Sequence, residues 1–216
     1  ITGNNTAGTY GIYSDRFNTT IRNCNIINFT YGVYFNEAKN GTIQNITANS
    51  TMSGGRGIVL ASSPNSTITG STGISTSSYG IYLSGSANNT FTNSIGNSST
   101  SYGIALSSSP NNTIINSKGA STSGIATYLG SSPSNTFIDS IFTSVSNASL
   151  NITSSPNNLF INCQNSLGAT NATQRFYSNT AQNTSSYGNL GWWPLLTATG
   201  SAATTLASTA WYNDTL

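Results

Sequence analysis

The feature that most constrains the fold is an internal repeat of about 23 residues. Segments of the form Gly-Ile-x-Leu recur at this spacing, and steps of 25 and 21 residues extend the series toward the start of the chain. The seven members begin at Gly11, Gly32, Gly57, Gly80, Gly103, Ala126 and Ser149. A fixed period of roughly 20 to 50 residues is typical of solenoids and other repeat architectures.

Each repeat contains two short segments in which apolar and polar residues alternate, as in half-buried strands. The first segment supplies two inward columns: Ile12, Val33, Ile58, Ile81, Ile104 and Leu150, and then Phe35, Leu60, Leu83, Leu106, Leu129 and Ile152. The second supplies a third: Ile21, Ile43, Ile68, Phe91, Ile114, Phe137 and Phe160. Such short strands, joined by Ser/Asn/Gly/Pro turns, predict an all-β parallel β-helix of about seven coils of 21–25 residues, stacked about 4.8 Å apart.

Ser, Thr and Asn make up 99 of the 216 residues. So polar a chain is normally expected to be disordered, but disordered chains are poor in aromatic and β-branched residues. The 22 aromatic residues therefore indicate a packed core. No start Met or apolar leader opens the sequence, which predicts a mature or excised segment of a secreted protein.

Charge excludes several classes of function. Six Lys+Arg and four Asp+Glu give a net charge of +2, too little to neutralise a nucleic-acid backbone. No apolar run approaches the roughly 18 to 20 residues of a membrane span. With no His and two Cys, the sequence predicts no metal site and no cofactor.

The repeats resemble the right-handed parallel β-helix family known from NosD-like and other periplasmic or cell-surface proteins, including Asn/Ser/Thr-rich surface proteins of archaea. The resemblance lies in the strands and turns of residues 80–93 and 103–116 and covers residues 11–163. It implies a right-handed helix, as does the rule for parallel crossovers. The family includes lyases, hydrolases, epimerases and inert scaffolds, so the resemblance is specific for architecture and not for activity.

A catalytic site is hard to assemble from four acidic residues. Asp15 and Glu37 are separated by 22 residues and are the best candidates for the carboxylate pair of a glycoside hydrolase. The alternative is an exposed charge cluster with Arg16 and Lys39, which forms weak surface pairs. The sequence favours the alternative and predicts a protein that is not an enzyme.

One further column follows the second strand of each repeat. Its members are Asn23, Asn45, Gly70, Asn93, Asn116, Asp139 and Asn162. Because Asn tolerates left-handed backbone angles and bonds to neighbouring coils, the column predicts a buried asparagine ladder at a corner. Cys24 and Cys163 share the next column six coils apart, roughly 29 Å at the usual strand spacing, which is too far for a disulfide.

Fifteen N-x-S/T sequons predict an N-glycosylated surface. The sites that we expect to face outward are Asn18, Asn40, Asn65, Asn88, Asn97, Asn111, Asn147 and Asn183. Four of them, Asn40, Asn65, Asn88 and Asn111, share one turn column. Neighbours about 4.8 Å apart would crowd each other, so partial occupancy is expected.

The sequence divides into a β-helix over residues 1–163 and a non-repeat segment over 164–216, which holds all three tryptophans. Ile1-Thr2-Gly3 matches Ile68-Thr69-Gly70, so the chain is expected to begin within a coil. Residues 164–216 either cap their own rod or dock on the open start of another copy and build a filament. The predicted assembly residues are Trp192, Trp193, Pro194, Leu195, Leu196, Trp211 and Tyr212.

These patterns together predict a non-enzymatic, extracellular, N-glycosylated structural protein of the cell surface. Its expected partners are copies of itself, assembled head to tail into a filament, appendage or S-layer-like structure, and covalent glycans. The alternative is a carbohydrate-binding adhesin or degenerate polysaccharide enzyme. It would use a tyrosine column, Tyr13, Tyr34 and Tyr82, which Val59 and Ala105 interrupt.

Overall fold

The computed structural model describes residues 1–161, 163–165, 169–170, 172–177 and 196–198. The described chain is a right-handed parallel β-solenoid of about seven coils, with three sheets running along its axis. Each coil contributes one strand to each sheet, and that strand pairs in parallel with its equivalent in the next coil. The predicted all-β architecture is confirmed. No helix among the described residues is long and apolar enough to cross a membrane.

Strand bounds follow the repeat closely in all three sheets. The first sheet contains β1 (Tyr10–Ser14), β4 (Tyr31–Asn36), β7 (Arg56–Ala61), β10 (Ile81–Ser84), β13 (Ile104–Ser107), β16 (Thr127–Gly130), β19 (Leu150–Thr153) and β22 (Ala169–Thr170). The second contains β2 (Thr20–Arg22), β5 (Thr42–Gln44), β8 (Thr67–Thr69), β11 (Thr90–Thr92), β14 (Thr113–Ile115), β17 (Thr136–Ile138), β20 (Asn158–Ile161), β23 (Ala172–Tyr177) and the antiparallel β24 (Leu196–Ala198). The third contains β3 (Asn25–Ile27), β6 (Thr47–Ser50), β9 (Thr72–Ser75), β12 (Ile95–Ser98), β15 (Lys118–Ser121), β18 (Ile141–Ser144) and β21 (Gln164–Asn165).

The predicted apolar columns form the core. Ile81 lies opposite Ile58 and Ile104 in the first sheet, and Phe91 lies opposite Ile68 and Ile114 in the second. All of these side chains are fully buried. Because each inward side chain stacks on its equivalent, the core is one continuous apolar column and not a set of separate clusters.

The third sheet was not predicted, because its inward residues in the middle coils carry little apolar surface. They are Gly73, Gly96 and Gly119, which are aligned in register and buried. A Cβ atom on Gly96 would collide with the carbonyl oxygen of Gly103, which directly precedes β13 of the first sheet. The coil is therefore narrow at this edge, and glycine is required by the close approach of two backbones.

The interior also holds polar ladders that link the coils. A buried column of asparagines accepts the backbone N–H of the preceding coil: Asn89 donates to Oδ1 of Asn112 at 2.8 Å, and Asn112 donates to Oδ1 of Asn135 at 2.7 Å. Each side-chain amide in turn donates to a carbonyl oxygen in its own turn, as Asn112 does to Ser109 at 2.8 Å. These bonds satisfy the turn amides that the strands leave unpaired, which explains how so polar a chain packs inside.

Serine plays the same role in two other columns, one at the same corner as the asparagines and one at the next corner. Ser86 donates its backbone N–H to Oγ of Ser109 at 3.0 Å, and Ser94 donates to Oγ of Ser117 at 3.1 Å. All four side chains are buried, with exposures of 3% or less. Three columns of side-chain hydrogen bonds thus link successive coils besides the strand ladders.

The asparagine column predicted to be buried is on the surface instead. Asn45, Asn93 and Asn116 are exposed and have φ of 53°, 51° and 47°, so the expected left-handed backbone is present and the expected burial is wrong. Nδ2 of Asn116 donates to Oδ1 of Asn93 at 2.7 Å. The left-handed turn points the side chain outward, while the next column, which holds Cys24 and the serines, points inward. Asn162 lies outside the described residues.

Cys24 and Cys163 are both free, as predicted. Cys163 is buried in the serine column, and its Sγ lies 3.4 Å from the carbonyl oxygens of Phe137 and Ile161. Each cysteine therefore occupies a place that serine fills in other coils.

Two boundaries differ from the sequence interpretation. Thr2 bridges to Ile27, so Ile1-Thr2-Gly3 aligns with strands of the third sheet and the predicted match to the second sheet is wrong. Parallel pairing also continues beyond residue 163, with Phe160 opposite Phe176. The assignment of residues 164–216 as a separate cap or assembly segment stays a prediction.

Candidate functional site

Tyrosine side chains line the outer face of the first sheet in two adjacent rows. One row occupies the position directly before the glycine that opens the repeat, and the other row occupies the position three residues further along the chain. The tyrosine stripe, as we call it, consists of Tyr10, Tyr13, Tyr31, Tyr34, Tyr79, Tyr82, Tyr102 and Tyr128 together with Arg56. It extends over six coils on one side of the rod.

The rings of the first two coils form a four-membered cluster. Tyr10 stacks on Tyr31 with centroids 5.1 Å apart, and Tyr13 stacks on Tyr34 at 5.9 Å. Edge contacts between the two rows, such as Tyr31 to Tyr34 at 5.2 Å, complete the cluster. Stacking follows directly from the register, because Tyr10 lies opposite Tyr31 and Tyr13 opposite Tyr34.

The later coils continue the stripe. Tyr79 stacks on Tyr102 at 5.3 Å, and Tyr102 stacks on Tyr128 at 4.8 Å. The second contact crosses from one row to the other, because Ala105 leaves space beside Tyr102. The stripe is therefore continuous at Ala105, where the column of Tyr13, Tyr34 and Tyr82 is interrupted in the sequence.

Arg56 fills the other apparent interruption, beside Val59. Its Cζ lies 5.7 Å from the ring centroid of Tyr31, 5.1 Å from that of Tyr79 and 4.8 Å from that of Tyr82. These are cation–π distances. The guanidinium thus joins the two tyrosine clusters into one surface.

The guanidinium of Arg56 has no anionic partner among the described residues. The ion pair found in that part of the chain joins Arg16 and Asp15, at 2.9 Å, on exposed side chains. Arg56 is half-buried, and its Nε is enclosed by protein atoms without a hydrogen-bond partner. A cation held in this way is partly desolvated and uncompensated.

Burial also affects the tyrosines. It raises the pKa of Tyr34, with further increases from Tyr10 and Tyr31, whereas Arg56 acts in the opposite direction. Burial raises the pKa of Tyr102 as well, together with Tyr79 and Tyr128. The hydroxyls of Tyr34 and Tyr102 therefore stay protonated at neutral pH.

Sequence reasoning found one of the two rows. It named Tyr13, Tyr34 and Tyr82 and missed the row at Tyr79 and Tyr102 together with Arg56. The signal was present in the sequence. A tyrosine precedes the glycine in four coils, and Arg56 takes that position in the coil between the second and third of these.

The candidate carboxylates are brought to one edge but do not form a buried pair. Asp15 and Glu37 follow the paired strands β1 and β4, and both are exposed. Asp15 is engaged with Arg16. Among the described residues there is no group of three or more His, Cys, Asp or Glu that could hold a metal ion.

The sequon asparagines occupy exposed turns. Asn40, Asn65, Asn88 and Asn111 share one corner with φ of 57° to 59°, and the structure adds Asn18 to the same column with φ of 60°. Asn97 and Asn147 are exposed elsewhere on the rod. Asn183 lies outside the described residues.

The predicted assembly residues Trp192, Trp193, Pro194, Leu195, Trp211 and Tyr212 also lie outside the described residues. The backbone of Leu196 belongs to β24, which pairs with Ala172–Gln174 of the same chain. This pairing is in keeping with the capping alternative for Leu196.

The coil geometry defines the class of protein: a right-handed parallel β-solenoid that carries an aromatic stripe on one sheet. The family model described as "right handed beta helix region" matches residues 10–165, and the chain belongs to this family. The resemblance inferred from the repeats is thereby confirmed at the level of the family, without assignment to NosD-like proteins in particular. Neither the curated proteins nor the solved structures yield a match.

Proposed function

We propose that the protein is a non-enzymatic, extracellular structural rod of the cell surface that assembles head to tail with copies of itself. The observation that carries the proposal is the interlocking of the interior. Inward-facing side chains bond one coil to the next, as in the ladder through Asn89, Asn112 and Asn135. Such an interior supports a stiff rod.

Assembly would use the same kind of backbone pairing between strands that joins the coils of the rod. The strands β1 and β2 lie at the ends of their sheets, whereas residues 1–3 pair along β3. Unpaired strand edges pair with other chains when nothing covers them. A contact between this end and residues 164–216 of another copy is heterologous, so it propagates into a filament or lattice and does not close.

Glycans would cover the corner that holds Asn18, Asn40, Asn65, Asn88 and Asn111. All five side chains are exposed. With so few charged residues on the chain, attached sugars would also supply solubility.

Electron microscopy of the natively isolated protein tests assembly, and its mass before and after deglycosylation tests modification. We expect regular fibres or lattices and a large mass loss. The double variant Trp192→Ala/Trp193→Ala should disperse the polymer, whereas Ile95→Ala, which truncates a 40% exposed side chain of β12 in the middle of the rod, should not. Dispersed wild-type monomers would refute the assembly proposal, and an unchanged mass would refute glycosylation.

A second candidate function, carbohydrate binding, is favoured by the tyrosine stripe. Aromatic rings offer apolar faces and polar hydroxyl tips, which suit sugar rings that also have apolar and polar sides. The two functions are compatible, because a surface rod can also present a binding face.

A further inference from the structure

The tyrosine stripe contains one charge, and its environment is unusual for a surface cation. Arg56 lies among Tyr31, Tyr79 and Tyr82, with all three ring centroids within 5.7 Å of Cζ. Its Nε is buried without a hydrogen-bond partner, and no ion pair compensates it among the described residues. Ring contacts offset part of the desolvation cost, and the Nη donors of the guanidinium, unlike the enclosed Nε, remain free for an acceptor.

An anion is the ligand that this arrangement recognises. Guanidinium binds carboxylate and sulfate groups through paired, charge-assisted hydrogen bonds. Partial burial strengthens such a bond, because the local dielectric is lower than that of water. The neighbouring hydroxyls of Tyr79 and Tyr82 offer further hydrogen-bond donors.

The surroundings favour a sugar polymer over other anionic chains. Rings repeat along the axis at one coil spacing, about 4.8 Å, which is close to the length of one pyranose unit in a polysaccharide. A nucleic acid carries a charge on every nucleotide and is bound by a row of cations, whereas the stripe holds one Arg in six coils. A chain with occasional or spaced acidic groups matches it better.

We propose that Arg56, flanked by Tyr31, Tyr79 and Tyr82, is the specificity-determining subsite for an acidic polysaccharide that lies along the tyrosine stripe. The inference rests on the second candidate function, carbohydrate binding, and adds the class of ligand. The bound group is a sugar carboxylate or a sugar sulfate. The neutral rings on either side hold the adjoining sugar units.

Affinity electrophoresis of the full chain with three soluble polymers tests the proposal: polygalacturonate for carboxylate, dextran sulfate for sulfate, and dextran as the neutral polymer. We expect at least one acidic polymer to bind about tenfold or more tightly than dextran, and whichever binds identifies the group. Arg56→Gln should reduce that affinity at least about tenfold, the loss expected for a charge-assisted hydrogen bond. Lys118→Gln removes the same charge from an exposed site on the third sheet and should leave the affinity unchanged.

Arg56→Lys keeps the charge and guards against misfolding of the glutamine variant. It should retain the fold, seen as an unchanged circular dichroism spectrum, while it loses most of the preference because the planar fork is gone. Equal losses in Arg56→Gln and Lys118→Gln would show generic charge attraction and overturn the subsite. Equal binding of dextran would overturn the acid preference while carbohydrate binding stands, and binding of oligo(dT) but of no polysaccharide would overturn both.

Discussion

Asn112 and Asn116 are four residues apart in the same coil, and each belongs to a column of asparagines that follows the rod. Asn112 is 1% exposed, accepts the backbone N–H of Asn89 in the preceding coil and donates to the carbonyl oxygen of Ser109 in its own turn. Asn116 is exposed, has φ of 47° and bonds to the side chain of Asn93. The comparison shows that one residue type at one period does two different jobs, set by whether the backbone turns the side chain inward or outward.

Asparagine fills the inner column because of the hydrogen bonds that its side chain forms there. An amide side chain both accepts from the preceding coil and donates within its own turn, which serine does only in part. The outer column is occupied for its backbone conformation, which Gly70 and Asp139 also adopt, with φ of 55° and 49°. Substitutions should therefore cost very different amounts in the two columns.

The largest effect is expected for Asn112→Ala in the inner column. The change leaves the backbone N–H of Asn89 and the carbonyl of Ser109 without their partners in a buried site. Buried unsatisfied groups cost about 1–3 kcal/mol each, so we expect a loss of about 3 kcal/mol in the free energy of unfolding, measured by urea denaturation.

Asn112→Ser is the matched control. Ser66 occupies the same column and accepts the backbone N–H of Gly41 at 3.0 Å, so serine should retain part of the ladder and lose about half as much. A loss below about 1 kcal/mol for Asn112→Ala would contradict the claim that the hydrogen bonds of the inner column stabilise the fold.

A second, smaller effect concerns the inner serine column and pH. Burial raises the pKa of the Cys163 thiol from 9.0 to about 12. The folded chain keeps this proton to higher pH than the unfolded chain, so stability is unchanged below pH 8 and falls as pH rises from about 9 toward 12. Between pH 8 and pH 10 the expected loss is about 1.4 kcal/mol.

Cys163→Ser isolates this contribution, because serine fills the column at Ser94, Ser117 and Ser140 and does not ionise. The raised pKa values of Tyr34 and Tyr102 act with the same sign in both proteins at still higher pH. Unfolding curves at pH 8 and pH 10 should therefore differ by about 1.4 kcal/mol more in the wild type. Equal differences would mean that the thiol is not buried.

The smallest effects are expected in the outer column. Asn116→Ala removes the short polar side chain whose hydrogen bonds let asparagine adopt the left-handed region, and should cost about 1 kcal/mol. Asn116→Gly, which copies Gly70, should stay within about 0.5 kcal/mol of the wild type. Thermal unfolding of the two variants measures the order. Both variants lose the side-chain bond to Asn93, so a loss well above about 0.5 kcal/mol for glycine would show that this bond contributes. A greater loss for glycine than for alanine would contradict the dominance of backbone strain.

The sequence predicts those parts of the fold that are marked by large apolar side chains. Ile58, Ile81 and Ile104 define the first sheet, and Ile68 and Phe91 define the second, because a buried column needs the same kind of residue in every coil. The third sheet carries Gly73, Gly96 and Gly119 inward, so its signal is the absence of volume, which no alternation of apolar and polar residues reveals.

The two asparagine columns could not be told apart for a related reason. Asparagine is compatible with a left-handed turn and with a buried hydrogen-bond ladder, and only the direction of the turn decides. The tyrosine stripe was half predicted, since Arg56 breaks the residue pattern while it preserves the surface. In the sequence Arg56 interrupts the row of tyrosines, but in the structure its guanidinium connects the rings on either side.

The constant spacing from β8 to β19 has a consequence for the gene. Equivalent residues in these coils are 23 positions apart, as Ile81 and Ile104 are, so removing or duplicating one such block would join ends that already match. Unequal recombination could thus shorten or lengthen the rod one coil at a time without creating a new interface. The length of the rod can then vary between genes while its cross-section stays the same. Related genes would be expected to differ by whole multiples of 69 nucleotides, three for each of the 23 residues in the repeat.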